Sequence, residues 1–497
     1  MNLSLIVIAC LLAALLSVSA AGADGVPPLL RTLDLNLGET QDTELADGSK
    51  ARVKLVDLQE TRDTVCKNIR EARVVVEVNG VPITLVSATY RLPVTIGGVQ
   101  IDCPVTRGYV AGSSKENPWA LEKDARVRLW PAHSPWIEKN SFGYPVRQRW
   151  FASDTQMGNE PCFVDGGEKP GASKVYYHYG LDFGGAEGLV EVVAATDGVV
   201  VSAANVTLPE HADSPARGRY DVIYVVDGRG WYYRYSHLQK IDVKTGDHVK
   251  KGDHLGVLGK EGGSGGWTHL HFDVTSRQPS GKWGIQDAYP YAWHAWQSEH
   301  DTALIAVARP HQVAAVGEEV VLDGSRSSSA TGAIAKYEWT FSDGMHAENA
   351  TARHTYSKPG AYSEILKVTD ARGKVAYDFA VVQVFDPKLK ELPPGIHAAY
   401  YPTENVRVGD TVTFKVRSFR TAHGGETWDF GDGTPPATVA SDGNAKMLAK
   451  DGYAITQHKY TKAGQYIVCV EHTNERGEKA EAHLWVEVLG SEEPGKR

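Results

Sequence analysis

The sequence predicts a mainly β protein of several domains. Three observations carry this. In 497 residues, 50 glycines and 24 prolines punctuate the chain too often for long helices. The apolar runs between them largely alternate with the two-residue period of a strand. One strand-rich pattern also occurs twice beyond residue 300, so part of the chain repeats a single module. At roughly 100–200 residues per domain, the length allows about three or four domains. Hydrophobic residues at 42% and charged residues at 23% suffice for packed cores. The net charge of −9, spread along the chain, argues against a nucleic-acid partner, which would need a basic stripe.

The first element is an apolar run, LIVIACLLAALL, from Leu5 to Leu16, followed by the small-residue stretch SVSAAGA. It is too short to span a bilayer and reads as a signal peptide covering residues 1–23. No later segment reaches ~18 uncharged apolar residues, so no membrane span is expected. The expected location is secreted or periplasmic. Cys10 leaves with the signal, and Cys66, Cys103, Cys162 and Cys469 remain. Cys66 and Cys103 flank strands and are candidates for a bridge in an oxidising compartment. Cys469 reads as a buried thiol, and the pairing stays open.

Residues 24–115 read as an N-terminal β domain. RVVVEV-NG-VPIT (Arg73 to Thr84) is a hairpin signal with Asn79-Gly80 as its turn. ARVKL and LPVTI add strands. The next stretch, to about residue 170, is loop-rich, and its Trp119, Trp130, Trp136 and Trp150 read as packing anchors.

The repeat comes last. The first copy has YEWTFSDG (Tyr337 to Gly344), then HTYSKPGAY (His354 to Tyr362). The second has WDFGDG (Trp428 to Gly433), then HKYTKAGQY (His458 to Tyr466). This pattern resembles the PKD domain, which implies two immunoglobulin-like β-sandwich modules, at 301–386 and 395–490. A charged, proline-bearing linker, 387–394, separates them. The second copy lacks the D-G-S step seen at Asp323 to Ser325 and carries a longer insert between Gly433 and His458. His354 and His458 occupy corresponding positions and read as structural. The resemblance implies adhesion or spacing outside the cell, with a cell-wall or extracellular polymer as partner.

Three segments carry chemistry: HYGLDF with His178 and Asp182, RYSHL with His237, and THLHFDV with His269 and His271. Residues two or four apart on a strand share a face, so pairing these segments would bring three histidines and an aspartate together with His237. Imidazole and carboxylate are common zinc ligands, and three protein ligands plus water is the catalytic arrangement. In this order the segments resemble the lysostaphin/LytM-type zinc metallopeptidases, the glycyl-glycine endopeptidase family with a duplicated hybrid motif fold. GDHVKKGDHLGVLG (Gly246 to Gly259) and ATDGVVV (Ala195 to Val201) extend the likeness over about residues 175–275.

The resemblance implies an open antiparallel β-sandwich peptidase core within 116–300. It implies that His178, Asp182 and His271 hold Zn²⁺, and that His237 and His269 are an unligated catalytic pair assisting water and stabilising the oxyanion. A peptidase needs a proton shuttle and charge stabilisation, and histidine suits both. Asp273, on the same strand face as His271, is a candidate to orient that ligand. No HExxH helix offers a glutamate base. GGSGG around Ser264 formally reads as a nucleophile elbow, but a strand follows it where that motif needs a helix. Glu191, Tyr220 and the inserted loop Asn205 to Arg219 depart from the family pattern. They bear on substrate more than on activity.

The leading function is an exported zinc metalloendopeptidase acting on peptidoglycan crosslink peptides or Gly-rich peptides. The alternatives are a non-catalytic wall-binding scaffold or activator, and an adhesion protein. No residue beyond Asp273 belongs to the constellation. A chain cut near residue 300 is therefore expected to keep peptide hydrolysis, with the PKD-like modules acting as tethers. The competing arrangement has them pack over the groove and shape it.

Overall fold

The computed structural model describes residues 27–114, 116–163, 175–300, 304–389 and 391–490. The signal-peptide reading at 1–23 lies outside them. The fold is mainly β, and among the described residues one helix is longer than two turns, Tyr289–Glu299. Among the described residues no helix is long and apolar enough to cross a membrane.

Near the N-terminus two four-stranded sheets face each other. One contains Thr40–Glu44, Lys50–Arg62, Ile69–Val78 and Val81–Val86 as a meander. Asn79 and Gly80 turn its last hairpin, with φ of 50° and 84°. Both central residues are left-handed, as the tight two-residue turn requires. Strict alternation along Lys50–Arg62 buries Ala51, Val53 and Leu55 against Ile101, Val127 and Leu129 of the opposite sheet. That second sheet includes Ala125–Pro131, which pairs with both Arg31–Leu35 and Val99–Thr106. A strand inside the loop-rich stretch thus completes the N-terminal sandwich, because its inward face supplies the apolar residues the shorter strands lack.

Cys66 and Cys103, the candidates for a bridge, are not bonded to each other. Cys103 lies inside the sandwich core with its thiol against the Val105 carbonyl at 3.7 Å, while Cys66 sits in a turn organised by the Asp63 carboxylate. Burial pushes the Cys103 thiol up to about 12.

The central region holds a nine-stranded sheet. Its spine runs through Gly198–Ala203, Ile223–Val226, Tyr232–Ser236, His269–Arg277 and Leu181–Gly184, all antiparallel. A three-stranded sheet of Glu191–Val193, His254–Leu258 and Leu238–Ile241 packs on it. Val192, Leu255 and Leu258 share one core with Val200, Tyr235, Leu270 and Phe272. Tryptophan anchoring holds here: Trp150 sits among the rings of Tyr144, Phe183, Tyr289 and Trp293.

The two repeat modules are β-sandwiches with matching interiors. His354 stacks on Phe341 at 4.3 Å, and His458 on Phe430 at 4.1 Å. Tyr356 and Tyr460 stand edge-on to these imidazoles, and the Tyr362 and Tyr466 hydroxyls donate to the Lys358 and Lys462 carbonyls, each at 2.8 Å. The histidines are therefore packing elements. The modules are not beads on a string. Gly360–Asp370 and Lys479–Val488 pair in parallel, so one sheet runs through both modules.

Candidate active site

The five expected residues meet at the middle of the central sheet. His269–Arg277 is the strand that joins them. Its His271 lies opposite Asp182 on one side and Ser236, the residue before His237, on the other. Alternation puts His269 and His271 on one face. His178 arrives differently from the expected continuous extended segment. The chain turns between Val175–Tyr177 and Leu181–Gly184, with Gly180 at φ 88°. A Cβ there would lie 2.7 Å from the Phe272 carbonyl, so only glycine allows this approach.

His178 Nε2 lies 3.1 Å from the Asp182 carboxylate and 3.2 Å from His271 Nδ1, and His271 Nδ1 lies 2.8 Å from Asp182. All three residues are buried. The outer ring nitrogens are occupied. His178 Nδ1 donates to the Met157 carbonyl at 3.2 Å, and His271 Nε2 donates to Asp273 at 3.2 Å. Asp273 also takes Arg234 at 3.3 Å. The inner atoms of the trio converge on one point, and against the effect of burial the Asp182 and Asp273 carboxylates raise the His271 pKa. A buried convergence of this kind is stable around a cation, and two imidazoles with a carboxylate suit zinc. Against the cost of its burial, His178, His269 and His271 hold the Asp182 carboxyl well below the usual range.

His237 and His269 stand beside the trio with ring centres 4.6 Å apart. His237 Nδ1 donates to the Glu261 carbonyl at 2.6 Å, and His269 Nδ1 to the Trp267 carbonyl at 3.0 Å. Both therefore turn Nε2 inward, and His269 Nε2 comes within 3.5 Å of Asp182. Burial lowers the pKa of both imidazoles, that of His269 to about 3. With Nδ1 of each committed to a backbone carbonyl, Nε2 is the nitrogen left facing inward. His237 sits at φ 69°, a strained backbone for a non-glycine residue. Its own N–H is held by Asp221 at 3.3 Å. Burial works against the Asp221 charge, but Arg219 and His237 hold its pKa well below the usual range.

Sequence reasoning missed Asp221 and Trp267. Asp221 follows the inserted loop, in the turn before Ile223–Val226, so no spacing marks it. Trp267 stacks on His269 at 4.1 Å, and an aromatic two residues before a histidine is no signal by itself. Ser264 is no nucleophile: its hydroxyl donates to the Lys260 carbonyl, accepts from Gly266 N, and meets no histidine in these bonds.

A cavity of about 290 Å³ opens over the five residues. A second, of about 360 Å³, adjoins it and shares Gln156, Trp267, His311 and Gln383. His311 and Gln383 come from the first repeat module, so the groove lies between the central sheet and the C-terminal half.

The pattern of peptidase family M23 matches residues 176–281, which contain all five side chains. These residues form an M23 peptidase domain. PKD-domain patterns match 302–384 and 398–487, and the two repeat modules are PKD domains. The chain is 34% identical over 134 residues to the peptidoglycan DD-endopeptidase ShyA of Vibrio cholerae, covering 27% of each protein. It is 36% identical over 110 residues to the collagenase ColA of Clostridium perfringens, covering 21% of this chain and 10% of the collagenase. It thus spans well under a third of either relative. The catalytic domain of lysostaphin from Staphylococcus simulans aligns at 28% identity and a TM-score of 0.20, over 28% of this chain and 90% of that domain.

A second group of metal-ligand types, Cys469, Glu481 and His483, lies in the second PKD domain. There Glu481 already pairs with Lys479 at 2.9 Å, and burial pushes the Cys469 thiol up to about 12. Neither a thiolate nor an unpaired carboxylate is on offer.

Proposed function

We propose that the chain is an exported zinc metalloendopeptidase that hydrolyses amide bonds in peptidoglycan crosslink peptides or Gly-rich peptides. The observation that carries this is the inward convergence of His178 Nε2, His271 Nδ1 and Asp182, with both outer ring nitrogens anchored. These three residues hold the metal. Bound zinc supplies a Lewis acid that polarises a carbonyl and acidifies water.

The chain's own groups do the rest. His237 and His269, each anchored through Nδ1, turn Nε2 inward, where one of them can take a proton from the attacking water. The imidazolium so formed faces the developing oxyanion and can return the proton to the leaving amine. Asp221 steadies the His237 backbone, and Trp267 fixes the His269 tautomer. The buried walls exclude bulk water, which strengthens each of these electrostatic contacts.

The name of the Vibrio relative supports a peptidoglycan substrate, and PKD domains support a place outside the cell. Two imidazoles anchored through Nδ1 beside the trio favour catalysis over a scaffold or adhesion role. The test is metal analysis of the purified chain with digestion of peptidoglycan sacculi and a fluorogenic pentaglycine peptide. One zinc per chain and release of new amino termini are expected. His271→Ala should lose metal and hydrolysis together, and full zinc occupancy in that variant would overturn the ligand assignment.

A further inference from the structure

We propose that the second PKD domain is a working part of the peptidase: its Tyr453, Arg417 and His397 position the Gly265–Thr268 segment and, through it, His269. The proposal rests on the reading of His269 as a proton-handling group. It replaces the expectation that the C-terminal modules are tethers dispensable for peptide hydrolysis.

Gly265 and Gly266 have φ of 71° and 85°, and they lie in a stretch with no strand or helix to hold it. Gly266 N and the Thr268 carbonyl are met from the peptidase side, by the Ser264 hydroxyl and Gly185 N, and three further backbone groups are met by the PKD domain. Arg417 Nη1 donates to the Gly266 carbonyl at 2.9 Å, Asn444 Nδ2 to the Gly265 carbonyl at 3.2 Å, and Thr268 N donates to the Tyr453 hydroxyl at 3.0 Å. The Tyr453 hydroxyl donates in turn to His397 Nδ1 at 2.7 Å, and His397 Nε2 donates to Asp154 at 2.9 Å.

These partners are themselves fixed. Arg417 is fully buried, forked on Asp442 at 2.8 and 2.7 Å, and bound to the Lys446 and Met447 carbonyls at 2.9 Å each. A Cβ on Gly266 would meet Asn444 Oδ1 at 2.2 Å and Arg417 Nη1 at 2.9 Å, so the domain packs directly on the loop backbone.

The segment matters because Trp267 sits inside it. Its carbonyl takes the His269 Nδ1 proton, and its ring stacks on that imidazole. Whatever places Trp267 therefore sets both the tautomer and the direction of His269. The repeat also shows which part of the PKD fold was adapted. The first copy runs directly from Gly344 to His354, whereas the second inserts a long excursion between Gly433 and His458. Asp442, Asn444 and Tyr453 all lie in that excursion. The insert that makes the second copy irregular adds Asn444 and Tyr453 to the contact that Arg417 makes from the strand Val412–Phe419.

The test uses the full chain. Tyr453→Phe removes one hydroxyl and leaves the ring; Gly266→Ala disturbs the same contact from the peptidase side. Three readouts are compared with wild type: kcat and KM on the pentaglycine peptide, amide exchange of residues 262–270 by mass spectrometry, and the imidazole ¹⁵N shifts of His269 in the zinc-loaded chain. Both variants should exchange faster at 262–270, shift the His269 signals, keep zinc, and lose about 10- to 100-fold in kcat with little change in KM. Unchanged exchange and shifts in both variants would overturn the proposal, as would faster exchange with kcat within twofold of wild type. If the wild-type chain cleaves neither peptide nor sacculi, exchange and ¹⁵N shifts still decide the clamp, and the failure belongs to the peptidase reading.

Discussion

His237 and His269 differ from His178 and His271 in one respect that decides their use. His271 and His178 bring inner nitrogens to 2.8 and 3.1 Å from the Asp182 carboxylate, whereas His269 Nε2 stops at 3.5 Å; on the proposed reading that difference separates the metal ligands from the proton-handling pair. Changing His237 or His269 to Ala should leave zinc content unchanged and reduce kcat by roughly 10²–10³, the usual loss for one transition-state group. Zinc analysis and steady-state kinetics on the same preparation check this; loss of metal in either variant would make that residue a ligand. Asp273 acts one step further out, through the 3.2 Å bond from His271 Nε2. Asp273→Asn should weaken zinc binding by roughly 10–100-fold while the chain stays folded. A chelator competition titration measures it, and wild-type affinity would show that Asp273 serves only Arg234.

At the scale of elements, the strand Gly360–Asp370 carries a buried acid with a readable consequence. Burial raises the Glu364 carboxyl to about 7, despite Ser342 N donating to it at 2.6 Å. The folded pKa exceeds the ordinary 4.5, so the protonated form is the one the fold prefers. The stabilisation is complete below about 4.5 and is lost as pH rises to about 7. Over that window the contribution is on the order of 3 kcal/mol at most. Glu364→Gln should flatten this part of the stability profile, so that the variant gains on wild type as pH rises. Denaturant unfolding at several pH values checks it, and parallel profiles would refute it. The turn at Gly180 belongs to the same scale: one left-handed residue lets His178, just past Val175–Tyr177, and Asp182, within Leu181–Gly184, reach the same point.

The whole molecule is held by contacts between regions that looked separable. Arg309, at the start of the first PKD domain, is buried against Glu160 at 3.1 Å and donates to the Tyr90 hydroxyl at 2.8 Å. One guanidinium thus joins the N-terminal sandwich, the stretch before the peptidase strands and the PKD pair. Removing it strands Glu160 in the interior, so Arg309→Ala should cost about 3–5 kcal/mol of stability. Calorimetry or denaturant unfolding gives the number, and a loss under about 1 kcal/mol would show the node to be solvated. A chain cut near residue 300 loses this node and the Tyr453 clamp together. It should be less stable and markedly less active on the pentaglycine peptide than the intact chain, measured by thermal unfolding and kcat; full activity would restore the tether reading.

Much of this protein was determined by local sequence alone. Alternation and glycine turns specify strands, because side-chain period and left-handed φ are properties of a few adjacent residues. Asn79-Gly80 therefore located its hairpin, and the repeated aromatic and histidine pattern located two sandwiches. The five site residues were legible as the motifs H-x-G-x-D, Y-x-H-L and H-L-H, whose roles the family resemblance supplied; only H-L-H lies at strand spacing, since the chain turns between His178 and Asp182. What tertiary structure decided are relations between residues distant in the chain. Ala125–Pro131 joins the first sheet, Cys66 and Cys103 stay apart, Asp221 backs His237, and Tyr453 reaches Thr268 across 185 residues. No local pattern encodes such contacts, because each depends on how whole sheets pack, and a buried Arg or Tyr reads the same in sequence whichever neighbour it meets.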